Sequence, residues 1–118
     1  MRQEDLSRPR TFPLPPDPPP VVTDAFAPQS HGIYSEIVVS FDVEMQFAIL
    51  PDPAKWSYVG DGDTYPIVDV QMNPTFATLI IGGPNNVKPE FLSYANSPSD
   101  VFSAVGVGLQ AFTGVPVS

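Results

Sequence analysis

The stretch Ile33-Tyr34-Ser35-Glu36-Ile37-Val38-Val39-Ser40-Phe41-Asp42-Val43-Glu44-Met45-Gln46-Phe47 decides how this chain folds. Ile33, Ser35, Ile37, Val39, Phe41, Val43, Met45 and Phe47 occupy every second position. Tyr34, Glu36, Val38, Ser40, Asp42, Glu44 and Gln46 lie between them. A period of two, rich in β-branched and aromatic residues, is the pattern of a strand that turns one face to a core. The run is longer than an ordinary strand, so a bend or bulge is expected within it.

Outward from this run the chain reads as further short strands. Residues 21–26 supply one before it. Pro51-Asp52-Pro53 breaks the chain after it, and residues 54–59 follow with Trp56 and Tyr58 on one face. Gly60-Asp61-Gly62-Asp63 reads as a turn, because Gly and Asp tolerate positive φ. Residues 65–72 and 75–81 are two more strands joined tightly at Asn73-Pro74. Gly82-Gly83-Pro84-Asn85-Asn86 is a loop, and residues 91–95 form a strand. Ser97-Pro98-Ser99-Asp100 leads into a loop or short helical turn at 101–104, and residues 110–117 close the chain. About seven short strands with regularly spaced turns predict an all-β fold, an antiparallel β-sandwich. A small barrel is the other arrangement, since periodicity does not decide closure.

Composition supports this and divides the chain. Sixteen of 118 residues are Pro, against an ordinary share of about 5%. Interior prolines break helices, which excludes a long-helix protein. The hydrophobic share of 42%, with 8 Phe, 4 Tyr and 1 Trp, is too high for a wholly disordered chain. With no Cys, disulfide scaffolds and thiolate metal sites are excluded. Seven prolines (Pro9, Pro13, Pro15, Pro16, Pro18, Pro19 and Pro20) fall in residues 1–20, as do Arg2, Arg8 and Arg10 against Glu4, Asp5 and Asp17. That segment is formally neutral. Residues 21–118 carry Lys55 and Lys88 against ten acids, which accounts for the whole net charge of −8. The predicted organisation is an extended Pro-rich arm, 1–20, and an acidic body, 21–118.

Two separated lysines make no phosphate-binding patch, so nucleic acid is not an expected partner. The same charge disfavours an anionic membrane surface, and no run approaches the ~20 apolar residues of a membrane span. The N-terminus lacks the apolar core of a signal peptide, so a protein made in the cytoplasm and not secreted is expected. Consecutive prolines favour polyproline II at about 3.1 Å per residue, a preordered form suited to binding in a groove. Arg10-Thr11-Phe12-Pro13-Leu14-Pro15-Pro16 matches the R-x-x-P-x-x-P pattern of SH3 ligands, a pattern that arises readily in any Pro-rich segment. A plain flexible tail is one reading of the segment; Phe12 and Leu14 favour the other, an arm that docks on a neighbouring subunit, since a pure spacer needs no exposed apolar side chains. Arg8, Arg10, Phe12, Leu14, Pro15 and Pro16 are the candidate partner-binding residues.

Several strands resemble a known family. Ile37-Val38-Val39-Ser40-Phe41-Asp42 resembles the first core strand of bacterial Ig-like domains of the SwmB-like kind, found in cell-surface repeats and some phage structural proteins. Trp56-Ser57-Tyr58-Val59, residues 65–70, Ala77-Thr78-Leu79-Ile80-Ile81, Leu92-Ser93-Tyr94, the loop from Asp100 to Gly106, and Leu109-Gln110-Ala111-Phe112 follow in the family's order. Val105 and Gly106 stand where the family has small and polar residues. The resemblance covers about residues 33–113 and leaves the arm outside. It implies an Ig-like antiparallel β-sandwich with a structural or adhesive role and no catalysis.

Other constellations read more simply. His31, the single His, is expected at an exposed strand end. Asp61 and Asp63 are weak Ca²⁺ candidates, with Asp52 or Asp100 as helpers, but they do not fit an EF-hand loop; a hairpin turn is the plainer reading. Asp42 and Glu44 alternate outward, where charges are solvated. Phe41, Trp56, Tyr58 and Phe76 read as core rather than as a sugar-stacking platform. Gly82-Gly83 lacks the Lys and helix of a phosphate loop. The functional expectation is a non-enzymatic virion structural protein without cofactor: a phage capsid decoration or cement protein. Its arm would dock on the major capsid protein or another virion protein, and the chain itself is expected to be homo-oligomeric in the assembly. The alternatives are a tail, collar or fibre component that binds host glycan, and an extracellular adhesion or S-layer module.

Overall fold

The computed structural model describes residues 17–95 and 99–118. Its strands are β1 (Val22–Phe26), β2 (Gln29–Ser30), β3 (Ile33–Tyr34), β4 (Glu36–Phe41), β5 (Trp56–Gly60), β6 (Asp63–Met72), β7 (Phe76–Ile81), β8 (Phe91–Tyr94) and β9 (Phe112–Pro116). A 3-10 turn, Pro53–Lys55, leads into β5. Among the described residues there is no α-helix. β2 and β3 form a small hairpin. The other seven strands make one antiparallel sheet in the order β1-β4-β7-β6-β5-β8-β9.

Alternation in the sequence becomes alternation in burial. In β4, Ile37, Val39 and Phe41 point inward while Glu36, Val38 and Ser40 are half-buried. In β5, Trp56 and Tyr58 are buried, and in β7 so are Ala77, Leu79 and Ile81. The sheet curls on itself through β6. Residues 63–66 of this long strand pair with β5, and residues 67–72 pair with β7. The change of partner falls at Pro66, which has no N–H to give to a ladder, and the register shifts between Ile67 and Asp69. The curl brings β4 and β7 to face β5 and β8 across one core that includes Ile37, Val39, Trp56, Tyr58, Leu79, Leu92 and Val101.

The opposite seam is nearly closed. The Ala27 N–H donates to the Ser118 carbonyl (3.0 Å), and the Ser118 N–H donates to the Ala25 carbonyl (2.9 Å). Both carbonyl and amide of Ser118 thus bridge residues flanking Phe26, a parallel pattern that ties the end of β1 to the segment after β9. The sheet is therefore close to a barrel, with its remaining opening between the starts of β1 and β9.

Two expectations need correction. The run 33–47 is not one strand. The chain slips by one residue at Ser35, so that Tyr34 is buried and Ile33 exposed, and β4 ends at Phe41. There Asp42 takes over: its carboxylate accepts the Val21 N–H (2.8 Å), and its own N–H donates to the Val21 carbonyl (3.0 Å). A short polar side chain that bonds nearby backbone ends a ladder in this way. Beyond it only Met45 returns to the core, through a bridge to Ser103, while Val43 and Phe47 face outward. Phe76 is not core; it opens β7 on the outer face opposite Ser40. Of the two readings of residues 101–104, the loop holds, with Phe102 and Ser103 in isolated bridges.

Candidate functional site

The end of the body where the described chain begins carries the most unusual surface. Pro20 is buried and Val21 is tied to Asp42, so the chain enters β1 beside the 42–55 loop. The 99–111 loop lies at the same end. The two loops are stitched together by backbone: the Gln46 N–H donates to the Phe102 carbonyl (2.9 Å), and the Ala104 N–H to the Glu44 carbonyl (2.8 Å). The Met45 N–H donates to the Pro74 carbonyl (2.6 Å), which fixes this base to the β6–β7 hairpin. Ser103 is buried, and its hydroxyl accepts the Val107 N–H (3.1 Å).

On this fixed base stand large apolar side chains that the core does not use. Phe47 is 57% exposed, Val105 68% and Leu50 96%, with Val43 beside them. Two shallow grooves run among them. One, of about 270 Å³, lies between Asp17 and Pro18 on one side and Val43, Glu44 and Ser103–Val105 on the other. The second, of about 340 Å³, is lined by Glu44–Ile49 and Ala104. They share Glu44 and Ala104 and form one track. A third groove of about 200 Å³ fills the opening between Pro19–Val22 and Leu109–Phe112.

A polar lock holds the loops from beneath. The Tyr94 hydroxyl donates to Asp100 Oδ1, whose other oxygen accepts the Asp52 N–H (2.6 Å) and lies 3.5 Å from Lys55 Nζ. Asp52 in turn caps the 3-10 turn by accepting the Ala54 N–H (2.9 Å). Burial raises the pKa of Tyr94, and the charge of Asp100 adds to the effect.

The expected site residues fare differently. Arg8, Arg10, Phe12, Leu14, Pro15 and Pro16 lie outside the described residues, as do Ser97 and Pro98. Asp61 sits in the β5–β6 turn, where Asp61 (φ 53°) and Gly62 (φ 82°) both take the left-handed conformation, and Asp63 opens β6 opposite Gly60. The length of β5 separates them from Asp52 and Asp100, which are engaged with each other. Among the described residues no three His, Asp or Glu side chains are grouped to hold a metal. His31 is exposed in the β2–β3 turn, with φ 54°. The exposed apolar side chains were not legible as a surface. Val43 and Phe47 read as an inward face, and the one available signal was the loss of alternation at Ala48-Ile49-Leu50. Neither the comparison with protein-family models nor that with curated proteins finds a match.

Proposed function

We propose that this chain is a non-enzymatic virion structural protein, a capsid decoration or cement protein of a phage. In this reading the body is an Ig-like sandwich of the SwmB-like kind. β1, β4, β7 and the end of β6 form one layer, and β5, β8 and β9 form the other. The 1–20 arm and the loop end make its contacts with the major capsid protein or another virion protein, and several copies sit together on the particle.

The observation that carries the reading is the coincidence of the Pro-rich segment's root with the exposed apolar loop end. Asp17 and Pro18 line the same groove as Val43 and Val105. The root of the arm, Asp17 and Pro18, and the loops therefore share one surface of the body. Exposed apolar patches rimmed by polar groups mark interaction sites, and an arm added to a face raises avidity through effective concentration. The glycan-binding alternative gains nothing from Trp56 and Tyr58, which are buried. The test is quantification of the protein in purified virions of the phage that encodes it. Expected are a fixed copy number per particle and a loss of at least about tenfold in occupancy when residues 2–16 are deleted. Absence from the particle would sink the proposal.

A further inference from the structure

We infer that the track across the loop end is the seat of this chain's own segment 10–16, with Phe12 and Leu14 as its apolar anchors. The inference does not rest on the virion reading.

The first support is continuity. The described chain begins inside the track: Asp17 and Pro18 already line its first groove, and the second groove adjoins it through Glu44 and Ala104. Phe12 is five residues upstream of Asp17, so at about 3.1 Å per residue its tether spans roughly 15 Å. The second support is chemistry. Pro13, Pro15 and Pro16 have no backbone N–H, so an apolar groove leaves few orphan donors when it covers them. Apolar and aromatic grooves are the usual receptors of such segments, and Phe47, Ile49, Val43 and Val105 supply one here. The third is charge. Residues 8–16 carry Arg8 and Arg10 and no acid, while the exposed Glu44 lines both grooves of the track. A covalent tether supplies millimolar effective concentration, so a weak contact fills the seat.

Because the chain has no Cys, Thr11→Cys provides a single attachment point for a nitroxide on the full-length protein. The expected result is selective broadening of the amides of residues 45–49 and 104–105 to less than half their diamagnetic intensity, unchanged on dilution. The same label in a Phe12→Ser/Leu14→Ser background should leave those amides sharp, with all other body resonances in place. Equal intensities with and without the label would overturn the inference. So would broadening transferred from a labelled unenriched molecule to an enriched unlabelled one, which would assign the seat to a second copy's arm. Neither result bears on whether the protein is found in virions.

Discussion

The Tyr94 hydroxyl donates to Asp100 Oδ1 at 2.9 Å and at the same time accepts the Asp100 backbone N–H at 3.1 Å. One phenol thereby holds both ends of a single residue in the loop that follows β8. Tyr94 is 2% exposed and its ring is 4.6 Å from that of Trp56, so the anchor is part of the core. Tyr94→Phe keeps the ring and deletes the hydroxyl, leaving a half-buried carboxylate and amide without this partner. A loss of about 1–3 kcal/mol is expected. Urea denaturation of the two proteins measures it, and a change below about 0.5 kcal/mol would show that the loop is held by other contacts.

Tyr58 presents the opposite case. It is fully buried, stacks on Tyr65 at 5.4 Å, and its hydroxyl has no hydrogen-bond partner among the described residues. Tyr58→Phe removes a desolvated polar atom and keeps the packing. The denaturation midpoint is expected to stay level or to rise, by up to about 1 kcal/mol. A drop of that size would mean that the hydroxyl has a partner.

Both tyrosines set a pH limit. Burial raises the pKa of each above the ordinary value of 10.0, with the neighbouring Tyr65 adding to the effect at Tyr58. Above pH 10 the unfolded chain has released protons that the folded chain keeps, so stability falls as pH rises. Their contribution is fully present below about pH 10 and is lost above it. Urea midpoints at about pH 8 and pH 11 should differ less in Tyr58→Phe/Tyr94→Phe than in the parent.

Gly60 and Gly62 separate crowding from conformation. A Cβ on Gly60 would lie 2.6 Å from the Lys88 carbonyl oxygen and 2.7 Å from Val87 Cγ1. Gly60→Ala must displace the 87–88 backbone, at about 1–3 kcal/mol. Gly62 has open space around it but φ of 82°, so Gly62→Ala is expected to cost about 1 kcal/mol through backbone strain alone. Thermal unfolding of both variants gives the order.

Leu50 stands almost free in solvent. Leu50→Ser is expected to change stability by less than about 0.5 kcal/mol. If the loop end is a contact surface, the same change should weaken particle binding by about tenfold, because burying a leucine is worth roughly 1.5–3 kcal/mol. Equilibrium binding to stripped particles reads the effect.

Much of the fold was legible because half-buried strands leave a mark at every second residue. Ile37-Val39-Phe41 and Trp56-Tyr58 each showed both a strand and its inward face, and residues 75–81 showed a strand. Asp61-Gly62 gave the β5–β6 turn from residue types alone. What was not legible depends on partners rather than on local pattern. Residues 65–72 read as a uniform strand, and nothing but Pro66 marked the point where β6 exchanges β5 for β7. Phe76 carries the same apolar signal whether a neighbouring layer covers it or not. The loop end was hidden for a related reason. Val43 and Phe47 keep the period of two after β4 has ended, so their exposure is decided by the loop's hydrogen bonds to Val21, Pro74, Phe102 and Ala104 rather than by local pattern.

The way the chain enters β1 also sets how the body carries a pull. Tension arriving through Pro20 runs along the axis of β1, while the β1–β4 hydrogen bonds lie across that axis. Held at the loop end, where β4 ends beside the start of β1, the ladder opens one bond at a time; held at the far end of the sheet, it is loaded in shear, with its bonds strained together. The Ser118 bridge at the far end of β1 adds two more bonds that must break in the same event. The same five-residue strand thus gives a tether that yields readily to a pull against the loop end and resists one against the far end.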